Sequence, residues 1–519
     1  MIVSITPELG LDEAPVYAGG LGILEADKFY AAASMGLSYT VLTFFYPRGY
    51  VYYQPSDDGF IQIRQEIYPE KLTAEDEIVF VSNFLGEKIA VRPYFFKLGN
   101  AKAVFFHVIS PERAARTIQR LYVYDKPDSR ELFAIILAKA SSIYIRDRIG
   151  VEKVEFLDLQ ESLGSLTAFL LPELRNKIRF VVHTIAPWIN FGVNPESIKK
   201  EIPEADLSKY GSSLYYLSME KATQVFAVSA KHERLVKQVT QSYDGKISHV
   251  TNGVNLQRWT HPEIQRLIKN NRLLSVEDFA SARLKMRSEL VDLLKRTKPD
   301  IRVDSDDFLV AWPRRMSKYK RPYFVERLVR EVADDFSVVF VLGGKAHPFD
   351  GDGQYFMKQF RKLHQEYPKV VYFHDYDVAK SKTILSSVAL LLFTPFSGWE
   401  ACGTSYMKAG VNGTPTLSSR DGGALEVIRD GYNGWFFGRE LDELVNIYAD
   451  HQRTSEVDEF DYGDLVRKFV EIAKMYRERP DEYLQIQLNA LTSMRDACDI
   501  TKTMTKYYPF SHRISSADV

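Results

Sequence analysis

Short apolar runs alternate with longer amphipathic runs along most of the chain, and this alternation constrains the fold more than any other feature. In the first half, the apolar runs have the length and composition of buried strands: MIVSIT, SYTVLTFFY, KAVFFHVI, VEFLDL and IRFVVHTI. The segments ILEADKFYAAASMGL and SRELFAIILAKASSIYIRDRI lie between them and have the pattern of helices. Alternating strands and helices predict a doubly wound α/β domain.

The second half repeats the alternation. Its predicted strands are DFLVAWPRR, FSVVFVLGG, KVVYFHDY and VALLLFTP, and helical segments such as RPYFVERLVREVADD separate them. Because 519 residues are too many for a single core, we expect two Rossmann-like α/β domains. The first covers residues 1–262, and the second covers residues 263–485 and begins with a charged helical connector. Residues 486–519 predict a last helix that crosses back to the first domain.

Charge and cysteine content exclude several classes of partner. With 67 basic and 68 acidic residues, the net charge of −1 gives no sign of a nucleic-acid partner. Two cysteines imply no disulfide framework and favour a reducing compartment. The N-terminus lacks the basic region of a signal peptide, and no apolar run is long enough to span a membrane. We expect a cytoplasmic protein, without a membrane partner and without a metal ion.

Two motifs in the first half end strands with residues that suit ligand binding. YAGGLGILEADKF places Gly20 and Gly22 where backbone amides can approach an anion at a helix start. A tight turn accounts for these glycines equally well. HTIAPW places His183 at the end of a strand. A ligand contact and a structural histidine are equally good interpretations of that position.

A basic cluster follows the first strand of the second half. AWPRRMSKYKRP brings five cations into eight residues. Charge runs are usually solvated faces, but this one lies at the carboxyl end of a strand, where doubly wound sheets bind ligands. Arg315 and Lys320 are therefore candidates for a phosphate clamp, one as a planar fork and the other as a point charge.

The segment VALLLFTPFSGWEACGTSYMKAG predicts a buried strand, a loop and a helix that begins near Gly403. The amides and hydroxyls of Thr404 and Ser405 suit a phosphate group, and Glu400 can accept hydrogen bonds from sugar hydroxyls. Lys408 follows inside the helix. A lysine in a closed cleft can condense with an aldehyde. The local pattern alone, however, favours a lysine on the surface of an amphipathic helix.

Six blocks in the same order along the chain resemble the α-glucan (glycogen/maltodextrin) phosphorylase family, most closely its compact microbial branch: VYAGGLGILEADKFYAAASMGL, SHVTNGVNLQRW, PRRMSKYKR, LGGKAHP, VVYFHDYDVA and EACGTSYMKAGVNGT. The resemblance implies a GT-B fold, in which two Rossmann-like domains face a central cleft. It also implies reversible phosphorolysis of α-1,4-glucan to α-D-glucose 1-phosphate, with pyridoxal 5′-phosphate held by Lys408. Inorganic phosphate and an α-glucan or oligosaccharide are the implied ligands, and a homodimer is compatible with the family.

The resemblance also implies roles for individual residues. Glu400 and His183 would contact the sugar, Arg315 and Lys320 would clamp the substrate phosphate, and Gly20 would approach it. The other implied positions fall into two groups, near the cofactor and along the substrate: Arg314, Thr404, Ser405 and Tyr376 at the cofactor, and Gly22, Cys402 and Gly403 at the substrate.

Two other functions stay open. Nucleotide-sugar transferases of the same fold often carry a second glutamate eight residues after the first, where this chain has Lys408, which has no acceptor for a ribose hydroxyl. Phe226, however, replaces the family's sugar-binding asparagine, DLQESL at 158–163 replaces HLNEGH, and GGALEVIRDGYNGW resembles the nucleotide-sugar enzymes. The alternatives are a nucleotide-sugar-dependent retaining glycosyltransferase, such as a glucan or disaccharide synthase, and a non-catalytic sugar-binding paralogue.

Overall fold

The computed structural model describes residues 1–57, 59–76, 79–84, 87–124, 126, 128–184, 192–270, 275–333 and 337–509. The chain divides into two units. The first comprises Met1–Val51, Arg64–Thr251 and Ile500–Val519, and the second comprises Tyr52–Ile63 and Asn252–Asp499. Residues 510–519 of the predicted C-terminal segment lie outside the described residues.

The strands, in chain order, are β1 Ile2–Ile5, β2 Leu9–Gly10, β3 Pro15–Val16, β4 Tyr39–Phe44, β5 Tyr52–Ser56, β6 Gly59–Ile63, β7 Thr73–Ala74, β8 Val79–Phe84, β9 Glu87–Leu98, β10 Ala101–Ser110, β11 Phe156–Gln160, β12 Ile178–Val181, β13 Gln224–Ala227, β14 Ile247–His249, β15 Phe308–Pro313, β16 Val338–Gly343, β17 Val370–Phe373, β18 Leu390–Phe393, β19 Thr416–Ser419 and β20 Trp435–Phe437.

The α-helices are α1 Gly20–Ser34, α2 Glu112–Thr117, α3 Ser129–Tyr144, α4 Thr167–Leu170, α5 Pro195–Glu201, α6 Leu214–Lys221, α7 Ala230–Val239, α8 Leu256–Trp259, α9 Pro262–Lys269, α10 Val276–Thr297, α11 Pro322–Val332, α12 Gly351–Glu366, α13 Val378–Ser387, α14 Ser405–Gly410, α15 Ala424–Val427, α16 His451–Glu478, α17 Pro480–Ala497 and α18 Ile500–Tyr507. Among the described residues, none of these helices has both the length and the apolar character that crossing a membrane requires.

The first unit is built on a mixed sheet in the order β14-β13-β12-β11-β1-β4-β10-β9-β7, with β8 paired to β9. The strands from β14 to β10 are parallel, and β9 is antiparallel to β10. Both faces of β1 and β4 are buried, as expected for parallel strands covered by helices. The chain order of the parallel strands reverses between β1 and β11, so that pair is the topological switch point of this sheet.

The second unit has a fully parallel sheet in the order β17-β16-β15-β18-β19-β20. This is the 3-2-1-4-5-6 order of the doubly wound nucleotide-binding folds, and its switch point lies between β15 and β18. The prediction of an α/β fold with parallel sheets is therefore confirmed. A buried hydrogen bond 2.8 Å long, from Nε1 of Trp312 to Oγ1 of Thr394, joins β15 to the segment that follows β18.

A hairpin from the first half of the sequence packs with the second unit. It consists of β5 and β6. The Tyr53 hydroxyl donates a hydrogen bond to the carbonyl of Ala346 at 3.2 Å, and the ring of Phe60 contacts Tyr372 and His374. The predicted first domain, residues 1–262, therefore differs from the first unit at this hairpin and at residues 252–262. The reason is tertiary, because the aromatic residues of the hairpin complete the core of the second unit.

The last described helix belongs to the first unit. Residues 486–499 stay with the second unit, and α18 packs on α1 of the first. The Lys28 ammonium lies 5.2 Å from the centroid of the Tyr507 ring, and the Tyr508 hydroxyl donates to Asp158. These contacts hold the C-terminal segment against α1 and β11.

Candidate functional site

The switch point of the second sheet carries a compact cluster of charges. Arg314 directly follows β15, and Glu400 lies in the loop after the neighbouring strand β18. Nη2 of Arg314 lies 2.6 Å from Oε2 of Glu400, and Nζ of Lys320 lies 3.1 Å from the same oxygen. These side chains are only 5 to 13% exposed, so their charges interact in a poorly solvated environment.

Two cations facing one carboxylate leave this cluster with excess positive charge. Burial raises the pKa of Glu400, but Lys320 and Arg314 together lower it to about 2, so the carboxylate is ionised. Burial and the positive charge of Arg314 lower the pKa of Lys320 to about 7. Glu400 raises the pKa of Lys320, but this attraction is smaller than the combined lowering effect of burial and Arg314. A second anion fits the electrostatics of this cluster.

Several buried donors in the two segments that carry these charges have no hydrogen-bond partner in the described part of the chain. Nη1 of Arg314 and the hydroxyls of Ser317 and Ser405 have no hydrogen-bond partner among the described residues. Buried donors without partners are uncommon in native proteins, and at binding sites a ligand often supplies the missing acceptor. These three donors suit the oxygens of a phosphate group.

The loop that carries Glu400 is fixed by its own backbone contacts. The Asp421 carboxylate accepts hydrogen bonds from the amides of Gly398 at 2.7 Å and Glu400 at 2.8 Å. Gly422 has φ +52°, and a Cβ there would lie 2.2 Å from the carbonyl oxygen of Glu400. The position of Glu400 is therefore set by packing that excludes a side chain at 422.

The next part of the loop is closely packed as well. A Cβ on Gly403 would lie 2.5 Å from Cζ of Phe393. The Cys402 carbonyl accepts a hydrogen bond of 3.0 Å from Nδ2 of Asn252, and burial raises the pKa of the Cys402 thiol to about 12. The contacts of Gly403 and Cys402 explain the shape of the loop, and their predicted role in substrate binding stays a prediction.

Lys408 is a buried residue. It lies on α14, which begins at Ser405, two residues after the predicted start. Lys408 is 7% exposed, and its Nζ lies 4.1 Å from the centroid of the Trp259 ring. The alternative of a surface lysine is therefore wrong, because the segment before α9 covers this face of the helix.

Asn412 connects the two segments that enclose Lys408. Its Nδ2 donates to the carbonyls of Trp259 and Lys408, both at 2.8 Å, and its Oδ1 accepts from the amide of His261 at 2.7 Å. The side chain is buried and uses both ends of its amide. This network holds the Trp259 backbone against α14.

Two further predicted residues follow the strands on either side of β16. Tyr376 follows β17 and packs on Gly343, where a Cβ would lie 3.1 Å from its ring. Arg315 is exposed and lies close enough to Lys320 to lower the pKa of that lysine. Thr404 is buried and precedes α14. The second unit thus contains every predicted site residue except three.

Those three residues, Gly20, Gly22 and His183, lie in the first unit. A Cβ on Gly20 would meet nothing within 4 Å, whereas one on Gly22 would lie 2.8 Å from Tyr17 and 2.9 Å from the Glu8 carboxylate. That carboxylate accepts hydrogen bonds from the amides of Ala18 and Gly19. The turn therefore presents Gly20 to open space and needs glycine at 22 for packing.

Similarity to known proteins extends over both halves of the chain. Residues 263–517 match the family model described as carbohydrate phosphorylase. The resemblance to the α-glucan phosphorylases is confirmed.

Relatives named as phosphorylases match most of the chain. The maltodextrin phosphorylase of Thermococcus litoralis is 25% identical over 85% of this chain and 62% of its own length. The glycogen phosphorylase of Aquifex aeolicus is 26% identical over 84% of this chain and 76% of its own length. The glycogen phosphorylase of Mycobacterium tuberculosis is 24% identical over 91% of this chain and 66% of its own length. The chain therefore spans about two thirds of the length of these phosphorylases.

Two departures from the phosphorylase motifs serve the first unit's own packing. Asp158, in place of the first histidine of the family block, is fully buried and forms a two-pronged ion pair with Arg179 at 2.7 and 2.8 Å. Phe226 packs edge-on against Tyr507 with ring centroids 5.1 Å apart. Arg179 also donates to the carbonyl of Tyr507, so both positions contribute to holding the C-terminal helix α18.

Sequence reasoning missed several residues that shape the two switch points. Trp259 ends the block SHVTNGVNLQRW, and Asn412 lies in EACGTSYMKAGVNGT. Both residues therefore belong to blocks that resemble the family, and the resemblance could have identified them. Glu161 is the acid that DLQESL shares with HLNEGH, although the two blocks differ more visibly at the histidines. The buried hydroxyl of Ser317 has no sequence signal beyond its place in the basic cluster.

Proposed function

We propose that this chain is an α-glucan phosphorylase, a retaining glycosyltransferase that acts reversibly on α-1,4-glucan and phosphate. The observation that carries the proposal is the cluster at the second switch point. It holds an ionised sugar-binding candidate, Glu400, between two buried cations, and it retains excess positive charge. A site with this electrostatic character favours a substrate that is both a sugar and an anion, as glucose 1-phosphate is.

The residues present fit pyridoxal 5′-phosphate. Lys408 is a buried amine on the helix after the Glu400 loop, and the unpartnered Nη1 of Arg314 and Oγ of Ser405 suit a phosphate group. We infer that Lys408 holds the aldehyde carbon, that Arg314, Thr404 and Ser405 bind the cofactor phosphate, and that Tyr376 lies by the ring. Bound there, the cofactor supplies a phosphate group that exchanges a proton with the substrate phosphate.

The chain's own residues would bind and orient the reactants. Lys320 and Arg315, with the Gly20 amide, would hold the substrate phosphate. That phosphate competes with Glu400 for Lys320, and so binding would free the Glu400 carboxylate to accept hydrogen bonds from the sugar. Fixed positive groups placed where negative charge gathers are usually the largest contribution to catalysis.

In the forward direction, an oxygen of the substrate phosphate forms a bond to the anomeric carbon as the glycosidic C–O bond breaks. The proton of the substrate phosphate goes to the leaving oxygen, and the α configuration is kept. His183 would contact the transferred sugar in its neutral form, because burial and the charge of Lys28 hold its pKa well below the usual value. We infer a GT-B arrangement in which the two units face a cleft, whose closure would exclude water and favour phosphate as the acceptor.

The nucleotide-sugar alternative is not favoured. The named relatives are phosphorylases, and position 408 holds a buried lysine. We further infer a cytoplasmic enzyme, and we expect sedimentation analysis to show whether it forms the homodimer compatible with its family.

A direct assay tests the proposal. The protein is incubated with pyridoxal phosphate, inorganic phosphate and maltoheptaose, and glucose 1-phosphate is measured. The expected result is product that depends on phosphate, on the cofactor and on Lys408. Transfer from UDP- or ADP-glucose without the cofactor would instead establish the nucleotide-sugar alternative, and binding of maltoheptaose without turnover of any donor would indicate a sugar-binding paralogue.

A further inference from the structure

Glu161 has a backbone conformation that side chains rarely adopt. Its φ of 63° and ψ of 178° fall in a region that is essentially restricted to glycine. The residue directly follows β11, the strand that forms the switch point of the first sheet together with β1. Strained residues of this kind persist where the surrounding structure holds them, and they cluster at functional sites.

The strained backbone directs the Glu161 carboxylate towards the end of the next strand. Its Oε1 accepts a hydrogen bond of 2.8 Å from the amide of His183. The backbone and side chain of Thr184 also donate to this carboxylate. The Glu161 amide in turn donates to the carbonyl of Val181 at 3.1 Å. Glu161 thus holds the backbone of the segment from Val181 to His183 through both its side chain and its own amide.

Two buried polar atoms close to His183 and Glu161 have no hydrogen-bond partner among the described residues. His232 is 1% exposed, and its Nδ1 accepts from the amide of Val228, so Nε2 carries a hydrogen that has no acceptor among the described residues. Its ring is close enough to His183 to affect the pKa of that histidine. The Tyr215 hydroxyl, buried and also without a partner in the described part of the chain, is close enough to Glu161 for the carboxylate to raise its pKa.

Nε2 of His183 lies 3.0 Å from Oε1 of Gln160. Since an amide oxygen only accepts, that nitrogen carries the hydrogen and Nδ1 is the acceptor. The tautomer of His183 is therefore set by the residue before Glu161, and its backbone by Glu161 itself.

We propose that Glu161 is a positioning residue for the sugar-binding segment of the first unit: its carboxylate holds the His183–Thr184 backbone, and thereby the His183 ring, in the arrangement that receives the transferred sugar. This inference rests on the proposed function, because it takes His183 as a sugar contact. It also explains why the chain keeps a strained glutamate at a position where glycine would be more stable.

The titration of Glu161 supplies an independent readout. Burial raises the pKa of Glu161 to about 7, against the lowering effect of its hydrogen bonds. The two histidines that face it have lowered pKa values. Burial lowers the pKa of His232 to about 3 and, with the charge of Lys28, holds that of His183 well below its usual value. Lys28 itself is paired with Glu25. Lys320 also has a pKa of about 7, but it is the same in wild type and Glu161→Gln, so a difference in pH dependence between these two proteins near neutrality can be assigned to Glu161.

Three variants separate positioning from plain structural support. Glu161→Gly relieves the strain and removes the carboxylate, whereas Glu161→Gln keeps the strain and one acceptor oxygen. Ser212→Gly is the matched control, because Ser212 is another residue of the first unit with positive φ, at 62°, and has no role in the proposed site. For each protein we would measure thermal unfolding from pH 5 to pH 8, the cofactor absorption band, and kcat and KM for phosphorolysis.

The expected result is a fall in kcat of about tenfold or more for Glu161→Gly, a smaller fall for Glu161→Gln, and no change for Ser212→Gly. The cofactor band should be unchanged in all three. Because a raised pKa means that stability is lost as the pH rises through about 7, Glu161→Gln should gain stability relative to the wild type between pH 5 and pH 8. At pH 8, Glu161→Gly should unfold at or above the wild-type temperature.

The proposal is overturned if Glu161→Gly is less stable than the wild type at pH 8 while Glu161→Gln keeps wild-type kcat, because Glu161 would then support only the fold. Equal loss of kcat and of the cofactor band also overturns it. If the wild type itself catalyses no phosphorolysis, the proposed function fails, and the pH-dependent stability of the variants still decides whether Glu161 is the strained, titrating acid described above.

Discussion

The ammonium group of Lys408 lies 4.1 Å from the centroid of the Trp259 ring, although the two residues are 149 positions apart in sequence. Asn412 holds this arrangement by donating to the carbonyls of both residues. The contact closes one face of the amine and leaves it in a poorly solvated pocket. A lysine held in this way differs from a surface lysine in both its geometry and its reactivity.

Replacing Trp259 by Leu should weaken binding of pyridoxal phosphate. A cation–π contact with a desolvated amine contributes about 1 to 2 kcal/mol, so the dissociation constant should rise by about tenfold. Titration of the cofactor absorption band measures it. Trp259→Phe, which keeps an aromatic face, is the control and should lie closer to the wild type. Equal affinity in Trp259→Leu and the wild type would refute a contribution from the ring.

Replacing Asn412 by Ala should destabilise the second unit. The change removes three hydrogen bonds and leaves buried polar groups at His261, Trp259 and Lys408 without partners. Each such group costs about 1 to 3 kcal/mol. Thermal unfolding is the measurement, and Asn412→Asp, which keeps the acceptor for His261 and loses both donated bonds, should be intermediate. An unfolding temperature unchanged in Asn412→Ala would show that water replaces the network.

Replacing Glu400 by Gln should tighten the binding of inorganic phosphate while it lowers turnover. The carboxylate competes with the substrate phosphate for Lys320, so its neutral analogue leaves that cation to the ligand. We expect phosphate affinity to rise by about tenfold and kcat to fall through loss of the sugar contact. Calorimetry with phosphate alone checks the first part. Weaker phosphate binding in Glu400→Gln would contradict the competition.

The affinity for phosphate should depend on the ionisation of Lys320. Its pKa, lowered to about 7 by burial and by Arg314, means that the wild type loses a positive charge as the pH rises from 6 to 9. Lys320→Arg keeps its charge throughout this range. The ratio of the two dissociation constants cancels the titration of phosphate itself, and it should change in favour of the variant with rising pH. A constant ratio would mean that Lys320 stays charged.

Removing the carboxylate of Asp158 should strongly destabilise the first unit. Asp158→Ala leaves Arg179 buried without its partner, and breaking a buried pair in this way costs about 3 to 5 kcal/mol. Chemical denaturation measures the loss. The double variant Asp158→Ala, Arg179→Met removes both charges and should recover part of it. If the double variant is no more stable than the single one, the cost arises from lost packing around α18 instead of from the unpaired charge.

The sequence predicted the strands, the main helices and the strand-end positions of the site residues well, because periodicity and strand-end motifs are local. Lys408 shows the limit. Its helix was predicted correctly, but its burial depends on Trp259, which reaches it only through tertiary packing. The β5–β6 hairpin belongs to the second unit for a similar reason, since Tyr53 and Phe60 find their partners about 300 residues later.

Glu161 shows a different limit. Its identity is visible in the sequence, and its block corresponds to one of the phosphorylase blocks, but nothing in the letters DLQESL indicates a backbone at φ 63°. That conformation is imposed by the pairing of β11 with its neighbours and by the hydrogen bond to His183. Local propensity disfavours it, and the fold overrides propensity at this position.

The absorption spectrum of the purified protein after exposure to pyridoxal phosphate, with and without borohydride, tests the role of Lys408 most directly. The matched control is Lys382→Ala, which removes another lysine that lies 5.9 Å from the same Trp259 ring. We expect a pyridoxal band that borohydride fixes to the peptide containing Lys408. The band should be lost in Lys408→Ala and kept in Lys382→Ala. Absence of the band in the wild type, or its persistence in Lys408→Ala, would contradict the assignment of Lys408 and with it the proposed phosphorylase chemistry.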